Sequence, residues 1–142
     1  MSFMDSIKSC FGKYATFAGR APRSEFWFFM LFIWLVMVVL QGLMFSMIDT
    51  SGMMSAAQSG TPYEPGLGMG FPLVPLILLA VFALATFLPN LSVMVRRLHD
   101  TGRSGWWYWI ALIPVIGIFI LLYFFVSKGT DGDNDYGPDP LA

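Results

Sequence analysis

The sequence predicts an all-α integral membrane protein, in which an N-terminal amphipathic interfacial helix is followed by three to four transmembrane helical segments, the last broken at Pro114–Gly117. Three observations carry this prediction. The 142 residues are 56% hydrophobic and only 12% charged, against about 45–50% and about 25% in soluble domains. A soluble fold built from them would have too little polar surface to cover itself. Residues 26–47, 71–95 and 106–126 each exceed the roughly 18 apolar residues that mark a membrane span. The basic residues are also segregated. Lys8, Lys13, Arg20 and Arg23 precede the first run, Arg96, Arg97 and Arg103 stand between the second and third, and residues 48–70 hold no Lys or Arg. Lipid offers backbone groups no hydrogen-bond partner, so a span is a helix or a closed barrel. The apolar/polar alternation of barrel strands is absent.

The length suits one domain: an interfacial helix over residues 1–17, a membrane domain over 18–140 with a loop at 48–70, and an acidic Gly/Asp-rich tail over 127–142. Phe3, Ile7, Phe11 and Tyr14 recur at helical spacing, with Lys8 and Lys13 among the polar positions. That pattern suits a helix lying in the interface, its lysines each gaining about 1 kcal/mol from anionic headgroups. It also suits a helix packed on the protein's own cytoplasmic side. Cys10 reads as a small packing residue. A single cysteine excludes an intrachain disulfide and a cysteine-based zinc site. The first 25 residues lack a continuous apolar core, so no cleavable signal peptide is expected.

Gly19 and Pro22 break the first helix. Ser24 is the expected N-cap of the next, and Glu25 suits its positive end. Arg20, Arg23 and Glu25 read either as an interfacial anchor or as part of one polar site with the basic turn at 96–103. Residues 26–47 would be about 33 Å long as a helix, enough for the roughly 30 Å hydrocarbon core. The stretch 48–70, with Asp49 and Glu64 as its only charges, reads as a flexible loop on the non-cytoplasmic side by the positive-inside rule. This puts the N-terminus in the cytoplasm. Residues 71–95 return, with Pro72 and Pro75 in the first turns. Pro89 predicts a kink, with Asn90 and Ser92 at hand for the freed carbonyl.

Arg96, Arg97 and His99 close that helix, where cations suit the negative end of the dipole. Gly102 is its αL terminator, and Ser104 is able to cap the next helix. Trp106, Trp107 and Trp109, like Trp27, belong to the aromatic belts at the headgroups. Residues 106–126 form either one kinked span or a hairpin of two half-helices; the joint presence of Pro114 and Gly117 favours the hairpin. In the tail, Asp131, Asp133 and Asp135 mimic the start of a calcium loop, but Tyr136 stands where that loop needs Gly and no Glu follows at its twelfth position. His99 beside Asp100 is no catalytic constellation without a nucleophile or metal cluster. The expectation is therefore no catalytic residue, no cofactor, no metal and no nucleic-acid partner.

Three blocks together resemble the family called domain of unknown function 805. They are Phe17-Ala-Gly-Arg-Ala-Pro-Arg-Ser-Glu-Phe-Trp, Arg96-Arg-Leu-His-Asp-Thr-Gly-Arg-Ser-Gly-Trp-Trp, and Gly129 to Pro140 with Asn134, Tyr136, Gly137, Asp139 and Pro140. The resemblance implies a small multi-pass protein of the bacterial inner membrane and no defined activity. All three blocks lie at helix ends. A tail on the cytoplasmic side would bring Arg20, Arg23, Glu25, Arg96, Arg97, His99, Asp100, Arg103 and Asp139 into one polar cluster, with Asn134 and Tyr136. The expected function is non-enzymatic. The basic turn, through Arg96, Arg97 and Arg103, would bind anionic lipid headgroups or a membrane-protein partner, the tryptophans setting its depth. The alternative is a small oligomeric transporter or channel, suggested by the helix breaks at Pro89 and Pro114.

Overall fold

The computed structural model describes residues 1–63 and 73–142, and its described elements are all helical. They are α1 (Phe3–Gly12), α2 (Arg23–Ser46), α3 (Thr50–Ser59), α4 (Leu73–Asp100), a 3₁₀ helix (Gly105–Leu112) and α5 (Ile116–Val126). Glu64, Phe71 and Pro72, from the expected loop and the start of the second span, lie outside the described residues. Two compact units emerge, one of residues Met1–Ile33 with Ala85–Ala142 and the other of Trp34–Leu84.

Helices α2 and α4, of 24 and 28 residues, are long and apolar enough to cross a membrane. At 1.5 Å per residue they reach about 36 and 42 Å. Their outward residues are large and apolar, such as Trp34, Val39, Leu84 and Phe87. A surface of this kind is stable against lipid rather than water. Helix α2 begins one residue before Ser24, which therefore sits in the first turn and does not cap it. Pro22 stands at the cap, its carbonyl accepting from Phe26 N at 3.2 Å.

In the larger unit, Ser2 caps α1, its Oγ accepting from Asp5 N at 3.2 Å. Ser6 and Cys10, one turn apart, form the buried face of α1. Phe3 meets Phe28 edge-on, and Phe11 meets Phe29 and Phe32 in the same way. Met4, Lys8 and Lys13 remain exposed. One face of α1 thus packs on α2 while the other stays amphipathic and open. The core of this unit joins Phe26, Phe29, Val93, Leu98, Leu121, Phe124 and Phe125.

Pro89 lies inside α4, where it removes the hydrogen bond to the carbonyl four residues back, at Ala85. The Tyr14 hydroxyl donates to that carbonyl at 2.9 Å. Asn90 and Ser92 do not take this role. Ser92 Oγ instead donates to Thr16 O at 2.6 Å and Lys13 O at 3.2 Å, tying down the segment after α1.

The expected third apolar run is a hairpin. The 3₁₀ helix covers about 16 Å at roughly 2 Å per residue, and α5 covers about 16 Å. Each is too short to cross alone. The reversal is a γ-turn in which Val115 takes φ 64° and ψ −63° and Ile116 N donates to Pro114 O at 2.7 Å. Gly117 permits the return, because any Cβ there would overlap the backbone of Ile110.

In the smaller unit, the stretch read as a flexible loop contains α3. Asp49 caps it, accepting from Gly52 N at 2.9 Å, and Gly60 ends it in the αL conformation at φ 70°. The Tyr63 hydroxyl donates to the same Asp49 carboxylate at 3.5 Å.

Candidate functional site: a buried ion network at the helix ends

The end of α4 and the start of α2 meet in the larger unit through charge. Glu25, in the first turn of α2, accepts from Arg96 Nη1 at 2.8 Å, and both side chains are 1% exposed. Ser9 Oγ donates to the same carboxylate oxygen at 3.0 Å, and the Cys10 thiol lies 3.8 Å from it. Burial, with Glu25 as the second cause, pushes the Cys10 thiol up to about 12. Arg96 Nε and Nη2 are buried with no hydrogen-bond partner among the described residues.

Asp100, the last residue of α4, serves two cations at once. It accepts from Arg20 Nε at 3.0 Å and from Arg97 Nη1. The rest of both guanidinium groups turns to main-chain oxygens. Arg20 donates to Thr130 O and Gly132 O at 2.6 Å each, and Arg97 to Phe125 O at 3.1 Å and to Ser127 O. These carbonyls belong to the end of α5 and the tail. A helix leaves its last carbonyls without intrahelical partners, and its C-terminus is the negative end of the dipole. The end of α5 therefore faces buried Arg97, and among the described residues three buried arginines stand with two buried carboxylates, Glu25 and Asp100.

The tail closes the same helix end from outside. Thr130 donates to Asp100 O through its N–H at 2.8 Å and its hydroxyl at 3.0 Å, and Asn134 Nδ2 donates to His99 O at 3.0 Å. His99 stacks on Tyr136 with ring centres 4.1 Å apart and planes at 6°. Its Nδ1 lies 3.2 Å from Gly19 O; opposite a carbonyl, this nitrogen carries the proton. Gly129 passes so close to the Asp100 carboxylate that no Cβ fits. The tail holds its own shape through an Asn134–Gly137 bridge and through Asp139, which accepts from Gly132 N at 3.1 Å and Leu141 N at 2.9 Å. Those N–H groups, Leu141 first, hold the Asp139 carboxyl below its ordinary range. The aspartates that mimic a calcium loop are used differently: Asp131 pairs with Lys128, and Asp133 accepts from Asp139 N at 3.1 Å.

Of the residues singled out in the sequence, Arg20, Arg97, His99, Asp100, Asn134 and Tyr136 are in one assembly, Glu25 and Arg96 form a separate buried pair, and Asp139 shapes the tail. Two stand at the edge of the assembly. Arg23 is exposed, with Nη1 3.5 Å from Val126 O. Arg103 lies over the Phe124 ring at 4.0 Å and donates to Thr101 O at 3.1 Å. Trp27, Trp106, Trp107 and Trp109 are exposed. One expectation is corrected: Arg96 and Arg97 are 1% and 0% exposed, so they hold the fold and offer no charge to a headgroup. Ser9 was not singled out, Tyr14 was read only as part of the apolar face of the first helix, and Gly129 and Thr130 only as part of the tail block. The proline at 89 did mark Ala85 as the carbonyl in need, but nothing in the sequence named Tyr14 as its donor.

A profile of the family described as protein of unknown function (DUF805) matches residues 14–138. The inner membrane protein YhaI of Escherichia coli K12 is 38% identical over 127 residues, 89% of this chain and 87% of the relative. The inner membrane protein YhaH of the same organism is 36% identical over 137 residues, 96% of this chain and 97% of the relative. No solved structure matches the chain.

Proposed function

The chain belongs to the DUF805 family, and from that membership and the closed network at its helix ends we propose that it is a non-enzymatic, lipid-binding scaffold of the bacterial inner membrane. The observation that carries this reading is the division of its cations. Arg20, Arg96 and Arg97 are buried and paired, whereas Lys8, Lys13, Arg23 and Lys128 are exposed. The buried set joins the ends of α2, α4 and α5 to the tail in one rigid platform. Of the exposed set, Lys128 pairs with Asp131, while Lys8, Lys13 and Arg23 lie on the segments bordering that platform and are open to anionic headgroups. The positive-inside rule places this face in the cytoplasm.

Each cation near an anionic surface contributes about 1 kcal/mol. Replacing Lys8, Lys13 and Arg23 together by Gln should therefore lower the preference of the purified protein for phosphatidylglycerol over phosphatidylcholine by roughly two orders of magnitude. Lipid retention measured by native mass spectrometry reads this directly. High salt should weaken the same preference. Equal retention of the two lipids by the unaltered protein would refute the reading.

A further inference from the structure

A groove of about 640 Å³ runs along α4 beside the 3₁₀ helix, within the usual range of small-molecule sites. Phe87 and Leu91 of α4 and Trp106 and Trp109 of the 3₁₀ helix line it, and His99 and Ser104 line it beside Asp100 and the ion network. From Phe87 to His99 the helix rises about 18 Å, over half of the roughly 30 Å hydrocarbon core. No Asp, Glu, Lys or Arg lines the groove. A charged headgroup would find no counter-charge there and would lose its hydration.

The groove nevertheless has a directional polar end. His99 Nδ1 is engaged with Gly19 O, which leaves Nε2 of the neutral ring as an acceptor. Gly105 opens the space before it, since a Cβ there would stand 3.6 Å from Nε2 and only 2.7 Å from Val95 Cγ1. No hydrogen bond reaches Nε2 among the described residues.

We infer that this groove binds a neutral amphiphile, a hydrocarbon chain ending in a hydroxyl that donates to His99 Nε2. Charge and hydrogen-bond complementarity both point to this ligand: the groove is uncharged and mostly apolar, and the His99 Nε2 acceptor stands at its polar end beside Ser104. Such binding uses none of the exposed cations of the scaffold reading and stands apart from it.

The test is photolabelling of the whole protein in phosphatidylcholine vesicles. The probes are a diazirine-bearing hexadecanol, the matching hexadecanoic acid and the matching methyl ether, with adducts located by mass spectrometry. The alcohol should label groove residues about five-fold more than the ether, the ratio that one hydrogen bond confers, and more than the acid. Leu91→Trp, which fills the channel, should remove groove labelling by all three probes. His99→Phe should keep chain labelling while abolishing the preference for alcohol over ether. Equal labelling by the three probes in the unaltered protein, or groove labelling unchanged in Leu91→Trp, would overturn the inference. The first of these outcomes needs no variant to fold.

Discussion

Among the described residues Asp100 is the carboxylate shared by Arg20 and Arg97, so Asp100→Asn leaves two buried guanidinium groups facing a neutral amide. The side chain keeps its size and one acceptor oxygen, so packing is little changed and the charge is what is lost. Breaking a buried ion pair by removing one partner costs about 3–5 kcal/mol. The two pairs share one acid and are not additive, so the expected loss stays near that range. For a chain of this length it corresponds to a fall in Tm of about 10–15 °C, measured on the purified protein in detergent. The same geometry supplies a second readout. Arg97 and Arg20 hold Ser127 O and Thr130 O on either side of the exposed Lys128. If opening of the tail is local, Asp100→Asn should raise its open population, and with it tryptic cleavage at Lys128, by between about a hundred-fold and a few thousand-fold. A variant with Tm within about 2 °C of the parent and unchanged cleavage at Lys128 would refute the view that this carboxylate holds the platform together.

Two further perturbations separate other parts of the fold. Tyr14→Phe should destabilise by about 0.5–1.5 kcal/mol. In a Pro89→Ala background, where α4 can satisfy the Ala85 carbonyl itself, the effect should shrink, and additive losses in a thermal double-mutant cycle would show that Tyr14 does not serve this carbonyl. Cys10, with its thiol pushed up to about 12, should resist maleimide near pH 7.5 in the folded protein and react once it is denatured. The folded state favours the protonated thiol, so stability from this group is level below the ordinary thiol pKa near 9 and falls as pH rises from there toward 12. Rapid labelling of the folded protein at neutral pH would contradict this environment.

The class of the protein was legible in the apolar runs and in the depletion of charge, because both describe what a membrane demands of any chain. The charged blocks could be placed at helix ends, but not their pairing: in the structure Arg20 meets Asp100 and Glu25 meets Arg96. Their roles were harder to read. Arg96 and Arg97 look the same in sequence whether they face headgroups or carboxylates, and only the placement of Glu25 and Asp100 decides. Gly117 signalled a break but serves close packing on Ile110, while the reversal falls on Val115, a residue that local preference would not choose for φ 64°. Helix α3 had its cap signals, Asp49 and Gly60, but its Gly, Ser and Met content shows no apolar periodicity, so the stretch read as loop.

The way the tail closes the end of α4 also imposes an order on assembly. Arg20, Arg96 and Arg97 are synthesised before Thr130, Gly132 and Asn134. Until those residues are made, Arg20 has the Asp100 carboxylate but lacks the tail carbonyls that later receive its remaining N–H groups. The segment after α5 therefore acts as a latch, made after the hydrophobic segments that precede it. A chain that stops short of Gly129 would keep its spans and the carbonyl partners of Arg97 but lose those of Arg20, which separates insertion from final locking as distinct steps in the life of the protein.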